Sequence, residues 1–209
     1  MKETVARELI VDMARSMFER RLTFGSSGNI SVKIDGGWLM TPTGSSLGRL
    51  DPAQLSRLDE GGNLISGAAP TKESFLHFAM YRERSSAGAV VHLHATHSVA
   101  VSCLDGINHA DVLPPITAYY VMRVGKLPLV PYFAPGDKAL GDAVGRLAGR
   151  HAAVLLANHG PVVAGTSLSS AVDAIEELEE TARLYLLLHG RPTHFLNDEQ
   201  IADLKRRYP

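Results

Sequence analysis

Two short apolar runs in this chain each lead into histidine, and together they constrain the fold more than any other feature. The first, Val90-Val91-His92-Leu93-His94-Ala95, reads as a buried strand over residues 88–95. Alternate residues of a strand point to the same face. His92 and His94 therefore project together, while Val91 and Leu93 face the other way. Two imidazoles on one face suit a single metal ion, which needs further ligands to hold it. They equally suit a pair of buried or surface histidines with no metal. The second run, Ala153-Val154-Leu155-Leu156-Ala157, reads as a central strand delivering Asn158-His159-Gly160-Pro161 at its end. Polar groups there can serve a site or simply make a turn.

Amphipathic segments alternate with these strands. Residues 4–22 place Val5, Leu9, Ile10, Met13, Met17 and Leu22 at helical spacing, with charges between them. Gly25-Ser26-Ser27-Gly28-Asn29 leads into an alternating Ile30/Val32/Ile34 strand. Asp35-Gly36-Gly37 turns it back into Trp38-Leu39-Met40. Thr41-Pro42-Thr43-Gly44-Ser45-Ser46 is a second loop rich in hydroxyls and glycine. Two further strands lie around the Asp59-Glu60-Gly61-Gly62 turn. Thr71 is the expected N-cap of a helix with Phe75, Leu76, Ala79 and Met80 inward. Glu73 suits that helix start because the dipole favours a carboxylate. The same end, with the Thr71 hydroxyl and Lys72, would also suit a phosphate.

Further on, Thr96 is expected to cap a helix reaching about Cys103. Residues 116–124 are expected to form a helix carrying Tyr119 and Tyr120. Residues 168–189 form a long helix whose acidic run Glu176-Glu177-Glu179-Glu180 reads as a solvated face. Asn197 with Gln200 forms a capping box for a last helix, 198–207. Strands mixed with helices over 209 residues point to one α/β domain, 1–209, with helices on both faces of a sheet.

Composition removes several function classes. The net charge of −1 gives no broad basic face for nucleic acid. No apolar run approaches a membrane span, and the N-terminus lacks a signal-peptide core. The one cysteine, Cys103, permits no internal disulfide, which fits a reducing cytoplasm, and it is expected to be a buried apolar residue. His97, three residues past His94, reads as a structural neighbour rather than a ligand. His109, His151, His189 and His194 show no ligand spacing.

Five motifs in order carry a resemblance: Gly28-Asn29-Ile30-Ser31-Val32, Thr41-Pro42-Thr43-Gly44, Thr71-Lys72-Glu73, His92-Leu93-His94 and Asn158-His159-Gly160. Together they resemble the class II aldolase/adducin family from about residue 4 to residue 190. The resemblance implies a three-layer α/β/α sandwich with a mostly antiparallel central sheet, and a homotetramer with sites near subunit interfaces. It implies His92, His94 and His159 as metal ligands, with zinc as the expected ion (another divalent metal would also serve). Glu73 matches the family carboxylate that can sit on the metal and act as general base. Gly28, Asn29, Thr43, Gly44, Thr71 and Lys72 match the phosphate-binding positions. Tyr119 matches the proton-donating tyrosine, with Tyr120 its rival.

Two departures from the aldolases sharpen the expectation. Thr71-Lys72 stands where they usually carry Ser-Ser, adding a positive charge that can meet a phosphate or a substrate carboxylate. The stretch Leu113–Met122 looks closer to the branch that decarboxylates 3-oxo-tetronate 4-phosphates to dihydroxyacetone phosphate and carbon dioxide. Loss of carbon dioxide leaves the same metal-stabilised enediolate as aldol cleavage, so one site can run either reaction. The alternatives are cleavage of a ketose 1-phosphate such as L-fuculose 1-phosphate, and a non-catalytic scaffold like the adducin head. The C-terminal Lys205-Arg206-Arg207-Tyr208-Pro209 is either a solvated end or a cover over a neighbouring site.

Overall fold

The computed structural model describes residues 1–208. Eight strands form one sheet in the order β4-β3-β2-β1-β5-β8-β7-β6. They are β1 (Asn29–Ile34), β2 (Gly37–Met40), β3 (Ser56–Leu58), β4 (Leu64–Ser66), β5 (Ala89–His92), β6 (Leu129–Val130), β7 (Ala153–Leu156) and β8 (Gly160–Gly165). Only the β6–β7 pair is parallel; the other pairings are antiparallel. The helices are α1 (Glu3–Glu19), α2 (Ser74–Glu83), α3 (Thr96–Ser102), α4 (Ala118–Arg123), α5 (Ala139–Ala148), α6 (Leu168–Leu188) and α7 (Asp198–Arg207). No helix among the described residues is long and apolar enough to cross a membrane.

The three layers follow from the period of two in the central strands. Val91, Leu155 and Val163 enter a core shared with Ile10 and Met17 of α1 and Ile175 and Leu178 of α6. Their neighbours Val90, Val154 and Val162 enter a separate core with Leu76 and Met80 of α2 and Leu140 and Val144 of α5. Each fully buried side chain of this size contributes about 1.5–3 kcal/mol, so both sheet faces must be covered.

Several boundaries differ from the sequence expectations, each for a local reason. β5 stops at His92, because β1 begins opposite it at Asn29 and only the Leu93 N–H to Pro161 carbonyl bond continues the ladder. His94 therefore lies beyond the strand. α2 begins at Ser74, and Thr71 is not its cap. Thr71 instead makes a tight turn, its hydroxyl accepting from the Glu73 N–H (3.2 Å) and its carbonyl from the Ser74 N–H (3.1 Å).

Thr96 does not cap α3 either. Glu179 of α6 does so, its carboxylate accepting the N–H groups of His97 and Ser98, each at 2.8 Å. That residue is 6% exposed, so the acidic run is not wholly a solvated face. α4 is shorter than 116–124, and Thr117 caps it. Cys103 is exposed rather than buried, with the Asn158 side-chain amide 3.3 Å from its sulfur. The capping box of α7 forms as expected. Pro209 lies outside the described residues.

Candidate metal centre

Glycines allow the histidine-bearing backbone to be gripped from two sides. A Cβ on Gly28 (φ +81°) would stand 3.0 Å from the His92 carbonyl oxygen. One on Gly160 (φ +149°) would stand 2.3 Å from the Leu93 carbonyl oxygen. Both positions need the backbone freedom of glycine and the space its missing side chain leaves. The close approach brings the turn ahead of β8, with His159, over the end of β5.

Three imidazoles converge there. The ring centroids of His92, His94 and His159 lie 4.7–5.0 Å apart, at steep angles to one another. His159 Nε2 is 3.3 Å from His92 Nε2 and 3.1 Å from His94 Nε2. Glu73, at the start of α2, places Oε1 3.2 Å from His159 Nε2 and Oε2 3.6 Å from His92 Nε2. One ligand atom from each of the four lies within 4.8 Å of the others. His92 is fully buried, whereas His94, His159 and Glu73 are half-buried and define the open side.

This donor set fits a divalent metal. His92 Nδ1–H donates to the Pro161 carbonyl at 2.8 Å, which leaves the Nε2 lone pair facing the centre. Burial, the largest influence, pushes His92 down to about 3 and so keeps it neutral. Burial also lowers His94, reinforced by the charge of His159. Burial alone would raise Glu73. The hydrogen bond from His159, the electrostatic influence of the adjoining His92 ring and the bond from Asn29 outweigh it and hold the carboxyl well below the usual range. Lone pairs crowded at about 3 Å need a cation or proton between them. Three imidazoles and a carboxylate suit zinc-like ions and leave the centre accessible.

The expected anion-binding residues form a rim beside this centre. The Thr43 N–H bonds the Ala69 carbonyl (3.0 Å) and the Thr71 N–H bonds the Thr41 carbonyl (3.2 Å). These bonds zip the Thr43-Gly44 loop to Thr71-Lys72. Thr43, Gly44 and Lys72 are exposed, Gly28 is half-buried, and Thr71 is buried. Asn29 has structural partners besides its expected role. Its side chain is held at both ends, with Nδ2–H donating to Glu73 Oε2 (2.8 Å) and Oδ1 2.6 Å from His77 Nε2. Glu73 takes one N–H of that amide, and the second N–H is left for another acceptor.

The two tyrosines separate cleanly. Tyr120 is 1% exposed and packs in the core, where burial raises its phenol strongly. Tyr119 is 60% exposed, with the Arg123 guanidinium 5.8 Å from its ring centre. His97 binds Glu179 and stays out of the cluster. Sequence reasoning missed Glu179 as a cap and His77 as a partner of Asn29. The signal for His77 is its spacing: it stands four residues after Glu73, on the same side of the helix start.

The "Class II Aldolase and Adducin N-terminal domain" pattern matches residues 8–186. A curated relative from Haemophilus influenzae, 3-oxo-tetronate 4-phosphate decarboxylase, is 46% identical over 208 residues, covering 99% of each chain. The L-fuculose phosphate aldolase of Escherichia coli O157:H7 is 33% identical, covering 99% of this chain and 95% of its own. The crystal structure of Escherichia coli YgbL superposes with a TM-score of 0.95 at 47% identity, covering 97% of this chain and 99% of that one.

Proposed function

This chain belongs to the class II aldolase and adducin family, and on that premise we propose that it is a zinc-dependent carboxy-lyase. Its substrate is a 3-oxo-tetronate 4-phosphate, split to dihydroxyacetone phosphate and carbon dioxide. The observation that carries the substrate class is identity of 46% along the whole chain to a decarboxylase of that compound, against 33% to an aldolase. The rival reading, aldol cleavage of a ketose 1-phosphate, uses the same centre and has the weaker likeness.

His92, His94 and His159 hold the ion, with Glu73 as a fourth, displaceable ligand. When bound, the ion would supply Lewis acidity at the substrate ketone. The remaining steps belong to this chain's side chains. Gly28, Thr43, Gly44, Thr71 and Lys72 bind the phosphate and fix the register of the reacting carbons. We assign Lys72 to the phosphate, because a cation paired with the departing carboxylate would stabilise the ground state and oppose its loss. As the C1–C2 bond breaks, its electron pair moves into C2–C3 and carbon dioxide leaves. A proton then returns to C2 to give the product. Tyr119 is assigned that proton. Its exposed ring fits a homotetramer in which it serves the centre of an adjoining copy. Glu73 is assigned as the general base that takes the C2 hydroxyl proton and returns it once carbon dioxide has left. With a single cysteine and so no internal disulfide, the working place we assign is a reducing cytoplasm.

The test is carbon dioxide release from 3-oxo sugar-acid 4-phosphates by zinc-loaded protein. Stoichiometric carbon dioxide and dihydroxyacetone phosphate are expected. Lactaldehyde from L-fuculose 1-phosphate, with no carbon dioxide from any acid, would make the protein an aldolase instead.

A further inference from the structure

Behind Glu73 runs a line of polar side chains that the reaction itself does not use. Asn29 and Ser31 of β1 and His77 of α2 are buried between the sheet and that helix. Their contacts are short and continuous. Tyr81 Oη lies 2.9 Å from Ser31 Oγ, and Ser31 Oγ lies 2.7 Å from His77 Nδ1. His77 Nε2 lies 2.6 Å from Asn29 Oδ1, and Asn29 Nδ2 donates to Glu73 Oε2 at 2.8 Å. The elements make this possible: Asn29 and Ser31 point to one face of β1, and His77 and Tyr81 stand one helical turn apart on α2.

The chemistry of the end groups fixes the direction of every bond. The Glu73 carboxylate only accepts, so the Asn29 amide must present its N–H₂ to it and its oxygen to His77. That oxygen also only accepts, so His77 must carry a proton on Nε2. A neutral His77 then accepts at Nδ1, Ser31 must donate to it, and Tyr81 must donate to Ser31. Burial, the largest influence, lowers His77 to about 4 and keeps it neutral at pH 7. Hydrogen bonds aligned head to tail in a low-dielectric interior strengthen one another.

We propose that His77 is a positioning residue: with Ser31 and Tyr81 it locks the Asn29 amide in the one orientation that holds Glu73 against the three imidazoles. A misoriented amide would turn its oxygen to the carboxylate and push Glu73 away. This rests on Glu73 being a ligand, as read above, but not on the identity of the substrate.

Three measurements test it. In ¹⁵N-histidine-labelled protein, His77, identified by its loss in His77→Gln, is expected to show protonated Nε2 and bare Nδ1. The opposite tautomer overturns the proposal. Zinc titrated into metal-free protein is expected to bind about 10–100-fold more weakly to His77→Leu, which has neither donor nor acceptor. His77→Gln, whose amide offers one of each, is expected to recover affinity to within a few-fold of the parent. Parent-like affinity in His77→Leu, or equal loss in both variants, overturns it.

If His77→Leu does not fold, Ser31→Ala carries the second test. It removes the donor to Nδ1 but leaves the Asn29 oxygen facing Nε2, so Nε2 is expected to stay protonated while zinc binding weakens. Parent-like zinc affinity in folded Ser31→Ala overturns the proposal. With substrate, His77→Leu is expected to lower kcat with KM within a few-fold. Protein that meets the tautomer and zinc expectations but releases no carbon dioxide sinks the decarboxylase reading and leaves the positioning line standing.

Discussion

The metal cradle and the anion rim lie side by side but are built in opposite ways. In the cradle the key polar atoms have structural partners: His92 bonds the Pro161 carbonyl, and Glu73 bonds Asn29, which bonds His77. In the rim, Thr43, Gly44 and Lys72 stand in solvent. The difference teaches where each function is stored. The cradle is preorganised before any ligand arrives, because buried polar groups without partners would be costly. The rim holds only its backbone in place and leaves its charge to be completed by the substrate. Loss of a cradle residue should therefore change chemistry and folding, whereas loss of a rim residue should change substrate affinity.

The largest expected effect is removal of the metal. Dialysis against a chelator, or His92→Ala, is expected to lower kcat by roughly 10³-fold, the several kcal/mol that a Lewis-acid ion supplies. Adding zinc should restore the dialysed protein but not the variant at the same free zinc. Full activity in the metal-free protein would erase the distinction between cradle and rim.

Acid should break the cradle next. Burial pushes His77 from its ordinary 6.5 down to about 4 in the folded protein. The unfolded chain therefore takes up the proton first as pH falls. Stability from this group is complete above about 6.5, declines as pH falls, and is lost by about 4. The expected loss in the metal-free protein is on the order of 3 kcal/mol, read by urea unfolding at pH 7 and pH 4. The depressed His92 acts with the same sign. His77→Gln should flatten part of this dependence, and an unchanged slope would mean the imidazole is already charged in the fold.

A backbone test follows with a somewhat smaller effect. Gly160→Ala puts a methyl group 2.3 Å from the Leu93 carbonyl at φ +149°. A loss of about 2 kcal/mol is expected from strain of this kind, seen as a lower Tm. Gly44→Ala, at φ +69° with open space around it, carries backbone strain but no clash and should cost less. Equal losses would show that the grip on the histidine loop contributes nothing beyond φ.

How much of this was legible in the sequence follows the same division. His92, His94 and His159 announce themselves because each terminates an apolar run, and the period of two assigns both sheet faces without coordinates. The ends of elements were less legible. Thr71 and Thr96 look like caps, but a bridge to Thr41 claims one backbone and a carboxylate on α6 claims the end of the other helix. Both contacts come from residues distant in sequence. The contacts of Asn29 toward α2 were illegible for the same reason: its loop resembles an anion cradle, and the partners of its amide, Glu73 and His77, lie more than forty residues away. Tyr119 and Tyr120 differ by one position, and only packing distinguishes them.

The smallest expected effect probes the rim through Lys72. Its side chain is exposed on the segment zipped to the Thr43-Gly44 loop, one residue before Glu73. Lys72→Ser should raise KM for the acid substrate by about 10-fold and leave kcat nearly unchanged, the loss of one charge-assisted contact. Zinc affinity and Tm should not move. Dihydroxyacetone phosphate, the product, keeps the phosphate but has no carboxylate, so it separates the two anions Lys72 can meet. If Lys72 binds phosphate, product inhibition weakens by the same factor as substrate binding. If product inhibition is untouched while KM for the acid rises, Lys72 pairs with the carboxylate, and the rim then selects acids directly rather than merely holding their phosphate.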